Sequence, residues 1–208
     1  MPEKEGLPMT VRKIKAAELL EARRLSALSF HWSLDAQGAS PEEYAQRVRA
    51  HPRSKSEAYF EAIWAAFTPE EEMMACLCAL PHTVAFDGGE APMVGIGGVC
   101  TYPQHQRRGA VRAIFTKTLE DAHDRRVPFS YLYPFSEPFY EKFGYARSCA
   151  SLAFRLSLAH IPDFPIPGTF RLYRPGQAYT AFQEVYRAFA RPLNMMVLRD
   201  PYDWHLLK

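Results

Sequence analysis

The stretch YPQHQRRGAVRA, Tyr102 to Ala113, sets Arg107, Arg108 and Arg112 around Gly109 where an apolar strand-like run meets a helix-like run. A glycine-bearing loop between a strand and a helix aims several unpaired backbone N–H groups at one point, and the helix dipole adds partial positive charge there. That arrangement is an anion site, and a pyrophosphate fits it. The arginines bring mobile positive charge to the same point. The plainer alternative is a surface helix start with chance arginines. A Rossmann site is disfavoured, since there is no Gly-x-Gly-x-x-Gly, and the absence of Gly-Lys-Ser/Thr excludes a Walker loop.

Just before the loop runs Met93-Val94-Gly95-Ile96-Gly97-Gly98-Val99-Cys100. Three glycines weaken a strand, so they point to a bulge or to a ligand lying close to the backbone; tight sheet packing is the alternative. Strand and loop together are more specific than either alone. The strand presents open backbone to an extended ligand whose phosphates end at the loop. Cys76, Cys78, Cys100 and Cys149 form no Cys-x-x-Cys pair, and the scattered histidines complete no zinc spacing, so buried reduced thiols and no metal site are expected.

These residues need elements to hold them. Thr10–Lys15 reads as a strand and Ala16–Phe30 as a helix with an apolar stripe of Leu19, Leu20, Ala22, Leu25, Ala27 and Leu28. Ser40-Pro41-Glu42-Glu43 is a helix start: a cap, a first-turn proline, then acids at the positive dipole end. Tyr59–Thr68 and Met73–Leu80 read as strands about a turn at Pro69–Glu72. Asp87-Gly88-Gly89-Glu90 is a hairpin turn joining a strand at His82–Phe86 to one at Pro92–Tyr102. From Gly109, the spacing of Val111, Ile114, Phe115, Thr118, Leu119 and Ala122 predicts an amphipathic helix. Val127 to Phe135 alternate as a strand. Ser136 then caps a short helix that Gly144 ends, and Tyr145–Leu158 holds one or two more strands.

The chain has 208 residues with a formal net charge of +2, an ordinary globular balance too mild to argue for nucleic acid. No signal peptide or membrane-spanning run is read, so a cytoplasmic protein is expected. A weak repeat sets Thr10-Val11-Arg12 against Thr169-Phe170-Arg171, Ala22 against Ala181 and Phe30 against Phe189, after a proline-rich linker. The expected organisation is a domain over 1–158, a linker over 159–168, and the beginning of a second, related, incomplete domain over 169–208.

Gln106-Arg107-Arg108-Gly109-Ala110-Val111, preceded by Val99-Cys100-Thr101-Tyr102-Pro103, resembles the coenzyme A pyrophosphate loop of the GNAT superfamily of N-acetyltransferases, whose pattern is Gln/Arg-x-x-Gly-x-Gly/Ala. The chain departs from it at Val111. Tyr131 to Tyr145, YLYPFSEPFYEKFGY, is similar to the enhanced-intracellular-survival (Eis) branch. The resemblance implies an α/β fold with a mixed, mostly antiparallel twisted sheet flanked by helices. It also implies an acyltransferase moving acetyl from acetyl-CoA to a primary amine of aminoglycoside, polyamine or lysine type by direct attack. Val99, Cys100 and Thr101 would offer backbone groups to the pantetheine arm and acetyl carbonyl. Arg107, Arg108, Gly109, Ala110, Val111 and Arg112 would wrap the pyrophosphate, and Phe135 and Ser136 would flank the coenzyme. Tyr140 matches the general acid; a core aromatic beside Phe139 and Phe143 is the alternative. A phenol, with an ordinary pKa near 10, stays protonated at neutral pH and can serve a leaving thiolate.

In Eis-type proteins the terminal carboxylate of a sterol-carrier-like third domain is the base. This sequence holds no such domain; the base is then missing from a fragment, supplied by a water chain, or local, with His31, Asp35 and Glu141 as candidates whose alternative is a solvated surface role. Phe30-His31-Trp32 lines an acceptor pocket or forms a core edge. The resemblance implies homo-oligomers for a full-length chain, and neither nucleic acid nor membrane as partner. The rivals are a non-catalytic acetyl-CoA-binding or regulatory module, an inactive fragment, and a nucleic-acid binder using the same arginines.

Overall fold

The computed structural model describes residues 8–31, 33–34, 38–50, 62–150, 152–162, 165, 167–169, 171–174, 180–200 and 203–204. Strand β1 (Thr10–Lys13) leads through a 3-10 turn at Ala16–Glu18 into α1 (Leu19–Phe30). Leu19, Leu20, Ala22 and Leu25 of the expected stripe are buried, while Leu28 is exposed at the helix end. Helix α2 (Pro41–Ala50) starts as its sequence predicts: Glu43 N–H donates to Ser40 Oγ (3.2 Å) and Ser40 N–H to Glu43 Oε2 (2.8 Å).

Strand β2 (Ile63–Phe67) is shorter than expected, and Tyr59–Glu61 lie outside the described residues. The two strands expected on either side of Pro81 are one, β3 (Met73–Phe86). Among the described residues β3 has no partner at Pro81 on the edge away from β4: Ala79 N–H bonds Ala62 O, and pairing resumes at Thr83–Val84, so the missing proline N–H costs no ladder bond there. The hairpin to β4 (Gly89–Thr101) turns on Asp87 and Gly88, with φ 48° and 74°, both left-handed as a tight two-residue hairpin requires.

Helix α3 (Ala110–Asp124) buries Ala110, Ile114, Phe115, Thr118 and Ala122. Strand β5 (Phe129–Leu132) stops short of the expected Phe135. Among the described residues it has no strand partner after Leu132, and Pro134 follows. Helix α4 (Glu137–Glu141) has Ser136 at its N-cap, though the cap is made by backbone: Ser136 O accepts from Phe139 and Tyr140, and its side chain makes no capping bond. Gly144, at φ 86°, turns the chain as Tyr145 N–H returns to Tyr140 O.

No strand forms over 145–158 among the described residues. Leu152, Phe154, Leu156 and Leu158 alternate as a strand should, yet all are exposed, because alternation supplies propensity and no neighbouring edge supplies hydrogen bonds. Neither Thr169 nor Arg171 is in a strand. The helix that follows does form, as α5 (Thr180–Ala190). Strand β6 (Val197–Leu198) then pairs with β3, and Met195 and Met196 bond Ala85, so the C-terminal segment is sewn to the β3–β4 hairpin.

The order β1-β2-β3-β4-β5 is antiparallel except for the parallel β4·β5 pair, with β6 on β3. Helices flank a mostly antiparallel sheet, as expected. One face packs on α1 and α2 through Leu20, Leu25, Tyr44, Ile63, Phe67 and Cys76. The other packs on α3 and α4 through Trp64, Leu77, Ile96, Ile114, Phe115 and Tyr140. Cys76 and Cys100 are buried and reduced with Sγ atoms 3.4 Å apart. Cys78 is half-buried and Cys149 is exposed, against the expectation of burial. The thiol–thiol hydrogen bond of Cys76 and Cys100, together with burial, pushes Cys76 well above the ordinary thiol range.

Candidate active site

The glycines of β4 make a bulge. Cys76 pairs with Cys100 and Cys78 with Gly97, so Leu77 alone faces Gly98 and Val99. Gly98 takes φ 60°, which a side chain would resist. Pairing of β4 with β5 ends at Ile96–Leu132, while β4 runs on to Thr101. From Gly97 to Thr101 the edge that faced β5 therefore has no strand partner among the described residues. Its N–H and C=O groups point into the gap between diverging strands, where Tyr133 and Phe135 stand exposed.

Val99, Cys100 and Thr101 thus lie together on this edge. They offer backbone, since the Cys100 side chain is buried on the α1 side against Cys76. At the strand's end the half-buried Tyr102 hydroxyl donates to Glu21 of α1, and burial followed by that carboxylate holds the phenol well above its usual range. A 3-10 turn, Pro103–His105, then buries His105 under the loop.

The loop has left-handed residues at Arg107 (φ 60°) and Gly109 (φ 84°). A non-glycine residue in this region stores strain, which clusters at ligand-binding turns. Gly109 is the N-cap of α3; it makes no side-chain cap, and the first turn carries no acid. The amides opening α3 have no acceptor within the helix and aim outward. Arg107, Arg108 and Arg112 are exposed, and none pairs with a carboxylate among the described residues. Ala110 is buried and Val111 half-buried beneath them. Open amides, the helix dipole and three unpaired guanidiniums thus fall within six residues of chain, from Arg107 to Arg112.

Across the gap, Ser136 stands at the start of α4 and the Phe135 ring lies 5.4 Å from that of Tyr140. Tyr140 is buried among Phe115, Phe139 and Tyr145, with ring centroids 5.9, 5.1 and 6.3 Å away. Its hydroxyl makes no hydrogen bond among the described residues. Burial, then the neighbouring Tyr145, raises its pKa, so it stays protonated to higher pH than an ordinary phenol.

The candidate bases are not brought together here. His31 is exposed at the C-cap of α1, Glu141 is exposed on α4, and Asp35 lies outside the described residues, as does Trp32. Sequence reasoning overlooked His82, His105 and the Tyr102–Glu21 pair. A register placing His82 beside the glycine-rich strand could have flagged the first.

Residues 10–148 match the family model of the acetyltransferase (GNAT) domain. The chain belongs to the GNAT acetyltransferase family. Members of that family use acetyl-CoA as co-substrate. A probable N-acyltransferase from Enterococcus faecalis V583, described as a conserved protein of unknown function, shares 29% identity, with 66% of this chain covering 32% of that one at a TM-score of 0.53. A GCN5-related N-acetyltransferase from Anabaena variabilis shares 20% identity over 65% of this chain and 31% of its own, at a TM-score of 0.52. Eis1 from Mycobacterium abscessus shares 16% identity but follows the fold over 96% of this chain and 47% of its own, at a TM-score of 0.62. This GNAT chain spans about a third of the length of the first two. Comparison with curated proteins finds no match. Among the described residues no helix is long and apolar enough to cross a membrane, and no cluster of metal-ligating side chains occurs.

Proposed function

We propose that this GNAT chain is an N-acetyltransferase that moves acetyl from acetyl-CoA to a primary amine of aminoglycoside, polyamine or lysine type. The observation that carries the reading is the unpaired edge of β4 from Gly97 to Thr101, which leads directly into the uncapped start of α3. Val99, Cys100 and Thr101 would bond the pantetheine arm through their backbones and offer N–H donors to the oxyanion as it forms. Arg107, Arg108 and Arg112, with the amides from Gly109 to Arg112, would hold the pyrophosphate. Phe135 and Ser136 would close the opposite side. The amine nitrogen attacks the acetyl carbonyl, the C–N bond forms, the C–S bond breaks, and Tyr140 gives its proton to the leaving thiolate. Burial keeps the Tyr140 phenol protonated at neutral pH, so the proton the thiolate needs is in place.

Calorimetry of acetyl-CoA binding to the parent and to Gly109→Glu tests the site. The expected result is binding by the parent and a loss of at least about 100-fold in the variant, which sets a carboxylate among the amides. Absence of binding by the folded parent overturns the reading. Tyr140→Phe is expected to keep coenzyme affinity and to lower kcat by about 10²–10⁴-fold. Coenzyme binding with no turnover of any amine would make the chain a coenzyme-binding module instead.

A further inference from the structure

On the α1 face of the sheet the described residues leave part of the floor uncovered between two walls. Antiparallel partners share a face, so Leu80 and His82 of β3 lie on the same side as Gly95 and Met93 of β4, and Tyr131 of β5 joins them opposite Gly95. At one end α1 covers this face over Cys76 and Cys100. At the other, the Tyr131 hydroxyl donates to Met195 O, which brings the C-terminal segment across it. Between the walls Leu80 and His82 are half-buried and Gly97 is exposed.

We propose that His82 is the general base of the acetyl transfer, taking the proton from the acceptor ammonium in this trough. The inference rests on the acetyltransferase reading and names the group that reading lacks. A methyl placed on the Gly95 Cα would come within 2.9 Å of His82 Cδ2 and 3.1 Å of its Nε2. Only glycine at 95 lets the imidazole lie against the strand in this pose. Its Nε2 edge then sits two residues before Gly97, roughly 6.6 Å along β4 from where the bulge begins, a span that the acceptor nitrogen and a bridging water fill together. The His82 side chain has neither a hydrogen-bond nor an ion-pair partner among the described residues, so no described protein group competes for its lone pair. A neutral imidazole can accept a proton on its free ring nitrogen.

The two faces divide the chemistry. His82 stands on the α1 face and Tyr140 on the α3 face, so the amine arrives and the sulfur is protonated on opposite sides of the β4 edge. The ammonium gives a proton to His82, and the neutral amine then attacks the carbonyl carbon. As the C–S bond breaks, Tyr140 protonates the thiolate. The second N–H proton returns to Tyr140 through solvent, and His82 releases its own to bulk. The ionisable or charged groups on the surrounding elements are Cys76 and Cys78 of β3, Glu90 and Cys100 of β4, Tyr131 of β5, Glu21, Arg23, Arg24 and His31 of α1 and its cap, and Arg191, Arg199 and Asp200 of the C-terminal segment. Arg191 faces Glu90 at 3.7 Å and Arg199 lies over the Tyr186 ring at 4.6 Å.

The test follows acetylation of kanamycin, spermidine and Nα-acetyllysine from pH 5.5 to 9.5 by the parent, His82→Gln and Gly95→Ala. Acetyl-CoA hydrolysis without amine and coenzyme calorimetry are read in parallel. His82→Gln is expected to bind acetyl-CoA within about twofold of the parent. Its kcat/KM at pH 7.5 should fall about 100-fold, and the acid limb of its kcat profile should vanish. Gly95→Ala, which displaces the ring without removing it, should show a smaller fall and a shifted limb. A His82→Gln protein that keeps both rate and limb overturns the base while leaving the acetyltransferase reading intact. So does a parent that binds acetyl-CoA but turns over neither amine nor water, which leaves only the coenzyme site. A parent that binds no acetyl-CoA overturns both.

Discussion

The N-terminus of α2 is closed by its own residues: Ser40 Oγ accepts from Glu43 N–H, Glu43 reaches back to Ser40 N–H, and Pro41 has no donor to satisfy. The N-terminus of α3 has none of these. Gly109 brings no side chain, the first turn has no acid, and three exposed arginines replace the carboxylates that a self-contained helix would use. The same backbone problem, unpaired N–H groups beside a positive dipole end, is solved internally in one helix and left for an external anion in the other. A helix start that looks worse as local structure is the better candidate site.

The arginines repeat the contrast. Arg12 bonds both oxygens of Glu18 (2.8 and 2.7 Å) and one of Glu71 (2.8 Å), and its guanidinium lies 3.9 Å over the Phe67 ring. It ties β1 to the turn before α1 and is spent on the fold. Arg107, Arg108 and Arg112 make no such tie among the described residues.

Breaking the open end should have the largest effect. Replacing Arg107, Arg108 and Arg112 together by alanine is expected to weaken acetyl-CoA binding by about 100-fold or more, at about 1.5 kcal/mol per charge-assisted contact, and to flatten its salt dependence. The melting temperature should move by less than about 2 °C. Arg12→Ala should do the reverse. A stability loss of about 2 kcal/mol is expected, near 4–8 °C in melting temperature, with coenzyme affinity unchanged. Ser40→Ala removes one capping bond of α2 and should cost about 1 kcal/mol in a urea titration, again with no change in binding.

The smallest effect concerns acid. Burial works to raise the Glu18 pKa, but hydrogen bonds from Arg12 and from the Lys15 backbone outweigh it, and the carboxyl titrates below its ordinary value. A carboxyl depressed in the folded state adds stability above its unfolded pKa of about 4.3 and loses that share as pH falls through the folded value. The urea midpoint of the parent should therefore drop more steeply below pH 4.3 than that of Glu18→Gln. Parallel curves would remove Glu18 from the account.

Local patterns translated well into structure. Ser40-Pro41-Glu42-Glu43 made its capping box, Asp87-Gly88 its left-handed turn and the α3 stripe its buried face, because each depends on residues a few positions apart. The glycines of β4 point to a bulge, a close ligand approach or tight sheet packing, and a bulge forms. Its position between Gly97 and Cys100 follows from register with β3. Leu152 to Leu158 show the reverse case, where a clean alternation makes no strand since no edge meets it. Tyr140 read as a core aromatic or an acid, and its buried ring and unbonded hydroxyl are compatible with both uses.

The sequence by itself determined an anion-ready loop after a glycine-rich strand, since both lie within twenty residues of contiguous chain. Tertiary structure alone decided where β4 parts from β5, and that His82 lies over Gly95. Those depend on which strand meets which and in what register, and register is set by packing of the whole sheet, beyond the reach of any short stretch of chain.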